Sequence, residues 1–533
     1  MEERYFDVLI IGTGAAGYNA ADCLFNLGVK NIAIITENIN YGTSRNTGSD
    51  KQTYYKLSLS GDSPDSIDEM SKTLFDGGSV DYDVALAEAA NSVKCFMKLV
   101  SLGVEFPTNK YGEYVGYKTD HDPFNRATSI GPYTSKRMTE VLQKSVESKN
   151  ILTFDKYKAV KILTKNNKVI GLVCLNINNN ELVTFKTSNI ILATGGPAGI
   201  YYNSVYPISQ LGSSSLAYDA GCNFANMAEW QYGLASITFR WNVSGTYQQV
   251  LPRYISIDEE GVEREFLREY FASDKEMIAN IFLKGYQWPF DVRKINGSSY
   301  IDLLVYNETV IKKRKVYLDF LHNPSGLDCS FNIDEVSYAY LKNSNALLPL
   351  PIDRLNAMNK GAIDLYKEHG IDLYKDMLQI AVCAQHCNGG VDIDANWESN
   401  VKGLYVAGEA AASFGVFRPG GSALNSTQVG SLRAAEAIKE SLKNESYKIE
   451  DNATIELNDF ILRHRGSKST LLKQRAIYQK FMSEHFAFIR DINKMEGALK
   501  TLQSWLINFS DDLKPEIMEA IDIAQIKDIV LSS

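Results

Sequence analysis

Hydrophobic positions near the start of the chain form two short runs that flank a glycine-rich segment. The first run, FDVLII at residues 6–11, is apolar almost throughout, as expected for a strand buried on both faces. An Ala-rich apolar pattern at residues 18–27 predicts a helix that Gly28 ends. NIAIIT, at residues 31–36, predicts a second buried strand. Together these elements predict a βαβ unit.

The pattern of residues changes twice along the rest of the chain. NIILATGG at residues 189–196 and KGLYVAGE at residues 402–409 each predict a strand that runs into small residues. Residues 235–350 are rich in tyrosine and polar residues and contain hairpin-like pieces such as DEEGVE. From about Asp451, apolar residues at helical spacing predict a helical C-terminal domain: Phe460, Leu471, Ile477, Phe481, Phe488, Ile492, Leu499 and Leu502.

Composition narrows the class of protein. The 533 residues, of which 45% are hydrophobic, can form roughly two to four domains. A net charge of −9 without a long basic run disfavours nucleic acid binding, and the basic cluster at residues 312–315 is expected to be a solvated edge. Seven scattered cysteines indicate a reducing compartment. Without a signal peptide or an apolar run of about 18–20 residues, we expect a cytoplasmic protein without a membrane span.

The glycine-rich segment between the two strands has the GxGxxG spacing of a dinucleotide-binding turn. Its glycines allow a tight turn and a close approach of the backbone to a pyrophosphate at the helix N-terminus. Glu37 lies 20 residues after Gly17, where a carboxylate can accept hydrogen bonds from a ribose. A merely tight turn would not explain Glu37. The predicted dinucleotide-binding residues are Gly12, Gly14, Ala15, Ala16, Gly17 and Glu37.

With GxGxxG, ATGG and GLYVAGE in this order, the chain resembles the fumarate reductase/succinate dehydrogenase flavoproteins, which include aspartate oxidase and urocanate reductase. The resemblance covers most of the chain, including its C-terminal helical segment. It implies an α/β fold: a Rossmann-like FAD-binding domain at residues 1–234 and 353–445. An inserted α+β capping domain at residues 235–352 and a helical C-terminal domain at residues 446–533 would complete it.

The resemblance also implies which residues hold FAD. The loop at residues 44–48 corresponds to the loop that passes the flavin ring, although it could be an ordinary polar loop. Covalently flavinylated members carry a histidine there, and this chain has none between Met1 and Asp120, so noncovalent FAD is expected. The implied cofactor residues are Ser44, Arg45, Asn46, Thr47, Gly48, Ala193, Thr194, Gly195, Gly196, Gly408, Glu409, Gly421, Ser422, Ala423 and Leu424.

The substrate side of the resemblance is less complete. Within FGVFRPGGSALNSTQ, Arg418 aligns with the arginine that clamps a substrate carboxylate, with a surface ion pair as the alternative. The family's QFHP histidine is absent, because Gln231-Tyr232-Gly233-Leu234 stands there, and the capping-domain arginine that donates a proton has no match. Fumarate itself is therefore doubtful as the substrate. Arg240, Arg253 and Arg264 are candidates for a replacement acid or a second carboxylate anchor, and each could instead be structural. Thr246 aligns loosely with a threonine that contacts the substrate in the family.

The stretch CAQHCNGG at residues 383–390 resembles the family's AHYTMGG segment. Its two cysteines and one histidine also suggest a metal site or a redox pair as alternatives. Neither is favoured, because the sequence contains no second pair of cysteines with the spacing of a metal or redox motif. The glycines match, which puts the catalytic histidine's position on Gln385. Either glutamine replaces the histidine, or His386 acts from the next position, unless His386 is structural.

These observations predict an FAD-dependent oxidoreductase that reduces the C=C bond of an α,β-unsaturated carboxylate. Arg418 would hold the carboxylate, His386 or Gln385 would polarise its oxygen, and a capping-domain arginine or tyrosine would protonate the α-carbon. The alternatives are an amino-acid or amine oxidase, a flavoprotein subunit of an electron-transfer complex, and a non-catalytic flavin scaffold. Electrons would come from a diffusing donor or a separate protein. The sequence does not determine the oligomeric state.

Overall fold

The computed structural model describes residues 3–61, 64–197, 199–210, 212–442 and 468–507. Parts of the predicted C-terminal domain, residues 446–467 and 508–533, lie outside these ranges, and with them the predicted helical position Phe460. No helix among the described residues has the length and apolar character needed to cross a bilayer.

A five-stranded parallel sheet forms the centre of the first part of the chain. In spatial order its strands are Leu404–Val406, Ile190–Leu192, Val8–Ile11, Ile32–Thr36 and Leu152–Asp155. The three central strands consist of fully buried residues, nearly all aliphatic, as the uninterrupted apolar runs predict. From Val8–Ile11 the chain continues first to one neighbour and much later to the other. The order of strands reverses there, which opens a crevice at their carboxyl ends.

A second sheet of four strands flanks the first: Glu3–Tyr5, Glu181–Lys186, Lys168–Asn176 and Tyr157–Lys165. Two helices lie against the parallel sheet and begin at the crevice, Ala15–Asn26 and Ser422–Leu442. Asn19 Nδ2 donates to the carbonyl of Gln428 at 2.9 Å, and Ser431 Oγ donates to the carbonyl of Ala16 at 2.9 Å. These bonds fix the two helix N-termini side by side.

The remaining helices of this part are Thr43–Asn46, Ile67–Asp76, Tyr82–Ser101, Thr134–Ser148 and Ser214–Asp219, with a short 3₁₀ turn at Gly408–Ala410. The helix Tyr82–Ser101 begins at Asp81, whose carboxylate accepts from the N–H groups of Asp83 and Val84. Two two-stranded sheets complete it, formed by Tyr54–Tyr55 with Ala127–Thr128 and Phe224–Ala225 with Gly390–Val391.

The capping part is built on an antiparallel sheet of six strands. Their spatial order is Trp241–Asn242, Trp230–Ser236, Leu378–Cys387, Lys315–Asp319, Arg253–Ile257 and Glu263–Arg264. The last two strands form the hairpin that DEEGVE predicts. This sheet crosses the proposed boundaries at residues 234 and 352, because Trp230–Ser236 and Leu378–Cys387 pair with strands of the inserted segment.

Helices cover this sheet. They are Thr246–Gln249, Phe266–Glu269, Asp274–Tyr286, Val292–Lys294, Tyr300–Tyr306, Asn307–Ile311, Glu335–Asn343 and Pro351–Glu368. Two C-terminal helices, Lys468–His485 and Ile492–Ile507, lie where helical spacing predicts them. Phe488, between these two helices, packs on Tyr232 and Phe290 of the cap, so the tail is joined to the capping core.

Candidate active site

A cavity of about 250 Å³ lies at the carboxyl ends of the parallel strands. Of the residues predicted to bind the cofactor, twelve line it: Gly12, Gly14, Ala16, Glu37, Ser44, Ala193, Thr194, Gly195, Gly408, Glu409, Ala423 and Leu424. The segments that carry these residues are up to about 400 positions apart in the sequence. Only the parallel sheet brings them to one edge.

The glycine-rich turn fits the pyrophosphate of a dinucleotide. Gly12 has φ +112°, and a Cβ atom there would overlap the carbonyl oxygen of Ala193. A Cβ atom on Gly17 would overlap the carbonyl of Gly12. The backbone therefore turns tightly into the helix Ala15–Asn26, and Gly14 and Ala16 at the start of this helix line the cavity. The donor set and the shape of the cleft suit FAD.

Glu37 stands at the far end of the cleft, as its position after the second strand predicts. Its side chain remains one-third exposed, and its Oε2 lies 3.5 Å from Nζ of Lys158. Thr36 and Thr13, which lie at the ends of the first two strands, hydrogen-bond to each other at 2.9 Å. The carboxylate of Glu37 is thus accessible from the cleft, and its contact with a ribose stays a prediction.

The loop at residues 44–48 lies partly in the cleft and partly behind it. Ser44 Oγ accepts the N–H of Ala15 at 3.2 Å and lines the cavity. Arg45 points away and donates to Gln143 Oε1 at 2.6 Å. Together with Asn46 and Thr47 it lines a separate cavity of about 310 Å³. Gly48 packs against Trp241 of the cap.

Sequence reasoning did not single out Gln210, which ties two of the predicted segments together. Its Oε1 accepts from the N–H of Thr43 at 2.9 Å and from Oγ1 of Thr43 at 2.7 Å. Its Nε2 donates to the carbonyl of Thr194 at 2.7 Å. No motif marks Gln210, because this bridge forms between loops that are remote in sequence.

Glu409 is buried beside the cleft and accepts two strong hydrogen bonds. The donors are the hydroxyl of Tyr206 and the N–H of Cys387, the latter at 2.9 Å. Burial raises the pKa of Glu409 to about 7, although these bonds and the nearby Arg418 lower it. Gly196 packs on the same carboxyl group, where a Cβ atom would collide with it. Glu409 therefore titrates near neutrality.

A β-bulge separates the two residues between which the sequence could not decide. In the pairing of Trp230–Ser236 with Leu378–Cys387, Gln231 lies opposite His386 and Tyr232 opposite Ala384. Gln385 is the extra residue, left out of the register. Bulges next to active sites redirect side chains. Here His386 reaches the cleft, and Gln385 turns toward the capping helices.

His386 lines the cleft as a neutral imidazole. Its ring meets Phe414 edge-on at 4.7 Å, and its Nδ1 lies 3.0 Å from Oδ1 of Asn388. Burial lowers the pKa of His386 well below its usual value, and Arg418 lowers it further. Because the amide oxygen of Asn388 only accepts, Nδ1 carries the proton and Nε2 presents a lone pair. His386 is thus arranged to accept a hydrogen bond in the cleft.

Arg418 lies next to this pair, in the loop before the helix Ser422–Leu442. It donates to Oε1 of Gln231 at 2.7 Å, to Oδ1 of Asn388 at 3.3 Å and to Oγ of Ser422 at 3.4 Å. Burial lowers the pKa of Arg418 to about 10, whereas Glu409, Tyr206 and Glu88 raise it. Among the described residues no carboxylate forms an ion pair with it, and its hydrogen-bond partners are all neutral. The predicted alternative of a surface ion pair therefore finds no support.

The position of the missing histidine is filled by side chains from two other segments. A Cβ atom on Gly233 would lie 2.5 Å from Nε2 of Gln385 and 2.8 Å from Cζ2 of Trp288. Trp288 Nε1 donates to Oε1 of Gln385 at 3.0 Å. Nε2 of Gln385 is buried and has no hydrogen-bond partner in the described part of the chain. The amide therefore has a donor to offer.

The capping residues that were candidate replacements each contact a different partner. Arg240 donates to the carbonyl of Tyr206 at 3.1 Å, and the hydroxyl of Thr246 donates to Oδ2 of Asp50 at 2.7 Å. Arg264 pairs with Asp258, and Arg253 with Asp319. The structure does not bring any of the four into hydrogen-bonding contact with Arg418, His386 or Gln385 across the described residues.

The cysteines of the 383–390 stretch are free and buried, and burial raises the pKa of both thiols. The described residues contain no group of three histidine, cysteine or carboxylate side chains that could hold a metal ion. Asn388, in the same stretch, is the residue that links His386 to Arg418. In the sequence, the position of Asn388 two residues after His386 is the feature that could have identified it as a site residue.

A glycine-rich cleft on a parallel sheet, joined to an antiparallel cap, defines the class of FAD-dependent oxidoreductases. A family model described as an FAD binding domain matches residues 7–424. The chain belongs to this family, and its relatives bear out the predicted resemblance to the fumarate reductase/succinate dehydrogenase flavoproteins. These matches confirm the predicted FAD cofactor and enzyme class.

Individual relatives are similar over nearly their whole length. The chain is 24% identical to a subunit of the fumarate reductase (CoM/CoB) of Methanothermobacter marburgensis, over 97% of this chain and 89% of that protein. It is 23% identical to L-aspartate oxidase of Vibrio cholerae, over 94% and 86%. The solved structure of Mycobacterium smegmatis Sdh1 in complex with UQ1 has a TM-score of 0.74 at 18% identity, over 100% and 86%. This likeness confirms the predicted fold class.

Proposed function

We propose that the protein reduces the C=C bond of an α,β-unsaturated carboxylate other than fumarate. Arg418 is the observation that carries this proposal. Its guanidinium is partly buried, and its hydrogen-bond partners among the described residues are neutral. A planar guanidinium in such surroundings suits a carboxylate, which it can bind through two parallel hydrogen bonds.

Separate residues at the candidate site would bind the substrate carboxylate and polarise its oxygen. Arg418 holds the carboxylate, and Nε2 of Gln385 offers a hydrogen bond to the oxygen on which negative charge develops. The N-terminus of the helix Ser422–Leu442 stabilises negative charge at the adjoining end of the cleft. When bound, reduced FAD would supply a hydride to the β-carbon, and a capping-domain tyrosine would supply the proton that the α-carbon takes up.

The capping side favours a substrate with one carboxylate and an apolar or aromatic remainder. Gly233 replaces the histidine that would hold a second carboxylate, and Trp288 occupies the adjoining space. The capping arginines are engaged elsewhere, as Arg240 illustrates through its bond to the Tyr206 carbonyl. A second carboxylate would have to be desolvated without a cationic partner, which is costly in a buried site.

Reoxidation of the reduced protein by a panel of enoates tests this proposal. The photoreduced protein is mixed in a stopped-flow instrument with 2-butenoate, cinnamate, urocanate and fumarate, and flavin absorbance is followed. We expect at least one monocarboxylate to reoxidise the flavin faster than fumarate does. A flavin that none of the panel reoxidises would contradict the proposal. Crotonamide, which lacks the carboxylate, is the matched control ligand.

The second candidate function is oxidation of an amino acid or amine. The lone pair that His386 presents to the cleft favours it, because dehydrogenation requires an acceptor for a substrate proton. A relative of similar length is named L-aspartate oxidase. Release of hydrogen peroxide with a panel of amino acids would support this function, and its absence under air would exclude the oxidase reaction.

A third candidate is the flavoprotein subunit of an electron-transfer complex. The relative that is named as one subunit of a fumarate reductase (CoM/CoB) favours it. Affinity purification of the chain from its native host would then bring down an iron–sulfur protein in a fixed ratio. Isolation of a chain that a small diffusing donor reduces at a useful rate would instead support a stand-alone enzyme.

A further inference from the structure

Glu88 is a buried carboxyl group behind the proposed carboxylate site. It lies on the helix Tyr82–Ser101, and only 2% of it is exposed. Together with Arg418, Phe414 and Ser413 it lines a small void of about 10 Å³. The other walls of the void are mainly apolar, formed by Leu74, Val80 and Ala85. Glu88 therefore faces Arg418 across a space the size of about one water molecule.

The hydrogen bonding of Glu88 is incomplete. Its Oε1 is buried and has no partner in the described part of the chain, while the hydroxyl of Ser426 donates to the carboxyl group. No basic nitrogen of the described residues forms an ion pair with it. Burial raises the pKa of Glu88 to about 8, although Ser426 and the charge of Arg418 lower it. Glu88 is thus mainly neutral at pH 7.

The surroundings contain few other titratable groups. Arg418 faces Glu88 from the loop before the helix Ser422–Leu442. Tyr54 faces it from the short strand Tyr54–Tyr55, and burial raises the pKa of this phenol well above its usual value, with Glu88 adding to the rise. Asn425 bridges the two, since it donates to the Glu88 carbonyl at 3.4 Å and lies 3.4 Å from the Tyr54 hydroxyl. Of these groups, only Arg418 carries a charge near neutral pH. Glu409, with a pKa of about 7, also acts on Arg418, and its titration precedes that of Glu88.

We propose that Glu88 is a positioning residue that controls whether the charge of Arg418 is available to the substrate. In its neutral form it leaves the guanidinium free for a substrate carboxylate. In its ionised form it competes for the guanidinium across the void, and the substrate then meets a site that is already neutralised. This inference rests on the proposed function and predicts an upper pH limit for substrate binding.

The expected size of the effect follows from the fraction of neutral Glu88. Substrate affinity falls in proportion to the competent fraction, and one pH unit above a pKa of about 8 that fraction is about one-tenth. The Kd for a carboxylate should therefore rise about tenfold between pH 7 and pH 9. Because the carboxylate ligand itself is fully ionised over this range, its own titration does not contribute.

The test measures carboxylate binding rather than turnover. Succinate, butanoate and 3-phenylpropanoate are titrated into the FAD-loaded protein from pH 6 to pH 9.5 by calorimetry and by the perturbation of flavin absorbance. Between pH 7.5 and pH 9 the wild-type protein should lose affinity more steeply than Glu88→Gln, in which only the titrations of Glu409 and Arg418 remain. Asp83→Asn removes a carboxylate from the exposed side of the same helix and should keep the wild-type profile.

The outcomes separate the two proposals. The same pH profile in Glu88→Gln and in wild type overturns the role of Glu88, even if carboxylates bind. No carboxylate binding by wild type at any pH overturns the proposed function, and with it the role of Glu88. If Glu88→Gln does not fold, Ser426→Ala replaces it: loss of the donating hydroxyl should move the break in affinity to higher pH, and an unchanged break contradicts the proposal.

An infrared titration provides a readout that needs no substrate. A protonated-carboxyl band should disappear between pH 7 and pH 9 in wild type and in Asp83→Asn, and Glu88→Gln should lose the part of this change that follows the titration of Glu409. A band difference that is identical in all three proteins would show that Glu88 does not titrate in this range, which overturns the proposal independently of substrate binding.

Discussion

Trp288 Nε1 donates a hydrogen bond to Oε1 of Gln385 at 3.0 Å and so fixes the orientation of the amide. Gln385 can then offer only its N–H groups to a ligand, because its oxygen is already occupied. A glutamine that is free to flip could serve as donor or acceptor. The capping domain thus determines the polarity of a group that belongs to the flavin-facing strand.

Trp288→Phe should remove this constraint and reduce kcat/KM about fivefold, as expected for the loss of one hydrogen bond of about 1 kcal/mol. The loss should appear mainly in kcat, since the carboxylate is held by Arg418. Trp230→Phe is the matched control, because the indole N–H of Trp230 has no hydrogen-bond partner in the described part of the chain. Equal losses in both variants would contradict the orienting role.

Arg418→Lys should weaken carboxylate binding about 100-fold, as expected for about 3 kcal/mol from charge-assisted hydrogen bonds that an ammonium group cannot reproduce in parallel. Flavin content should not change. Binding isotherms with 3-phenylpropanoate provide the measurement. Arg268→Lys, at the exposed ion pair of Arg268 with Asp274, should bind like wild type. Retention of wild-type affinity in Arg418→Lys would remove the basis of the proposed function.

Gly12→Ala should yield protein without bound flavin, because the added Cβ atom overlaps the carbonyl of Ala193 at φ +112°. Gly28→Ala is the control, since Gly28 has φ +96° with no atom near the new Cβ. That variant should lose about 1 kcal/mol of stability through backbone strain and keep its flavin. The absorbance ratio of flavin to protein after purification distinguishes the two results.

Glu88→Gln should stabilise the protein, and increasingly so as pH rises from about 4.5 to 8. In this range the unfolded chain has released the Glu88 proton, while burial keeps it bound in the folded chain, so wild-type stability falls with pH. The difference should reach a few kcal/mol near pH 8 and then stay constant. Thermal unfolding of both proteins from pH 5 to pH 9 measures it. A difference that does not change with pH would contradict a raised pKa.

His386 should remain neutral from pH 6 to pH 8 with its proton on Nδ1. Nitrogen-15 NMR of histidine-labelled protein distinguishes the two ring nitrogens and detects protonation directly. Asn388→Asp should raise the pKa of His386 and weaken carboxylate binding, because it places a negative charge between the imidazole and Arg418. An imidazolium signal in wild type at pH 7 would refute the assignment.

Local sequence predicted the strands and the glycine turn at the edge of the candidate flavin cleft. The strands around residues 8–11 and 32–36, and the turn at Gly12, follow from apolar runs and from glycine spacing, which act within about 30 residues. The bulge at Gln385 could not be predicted in the same way. It depends on the register with Trp230–Ser236, a strand about 150 positions earlier. A motif alignment therefore identified Gln385 and His386 as the two candidates but could not determine which of them reaches the cleft.

The capping arginines were favoured by the sequence, but the structure does not place them at the site. Arg240 and Arg264 were candidates because they are cationic and occur in the substrate-facing insertion. The structure pairs Arg264 with Asp258 and directs Arg240 to a backbone carbonyl. Glu88, in contrast, carries no sequence signal, because a glutamate on an amphipathic helix is ordinarily solvated. Its burial results from the packing of Tyr82–Ser101 against Ser422–Leu442.

Short-range patterns in the chain were enough to define the class of fold and the cofactor, because buried strands and a glycine turn are encoded over short distances and leave few alternatives. Which side chains share the substrate pocket became clear only from the folded chain. Gln231, Arg418 and the stretch that holds His386 and Asn388 are three separate segments. Their contacts depend on strand register and on burial, which long-range packing sets and which no local pattern of residues contains.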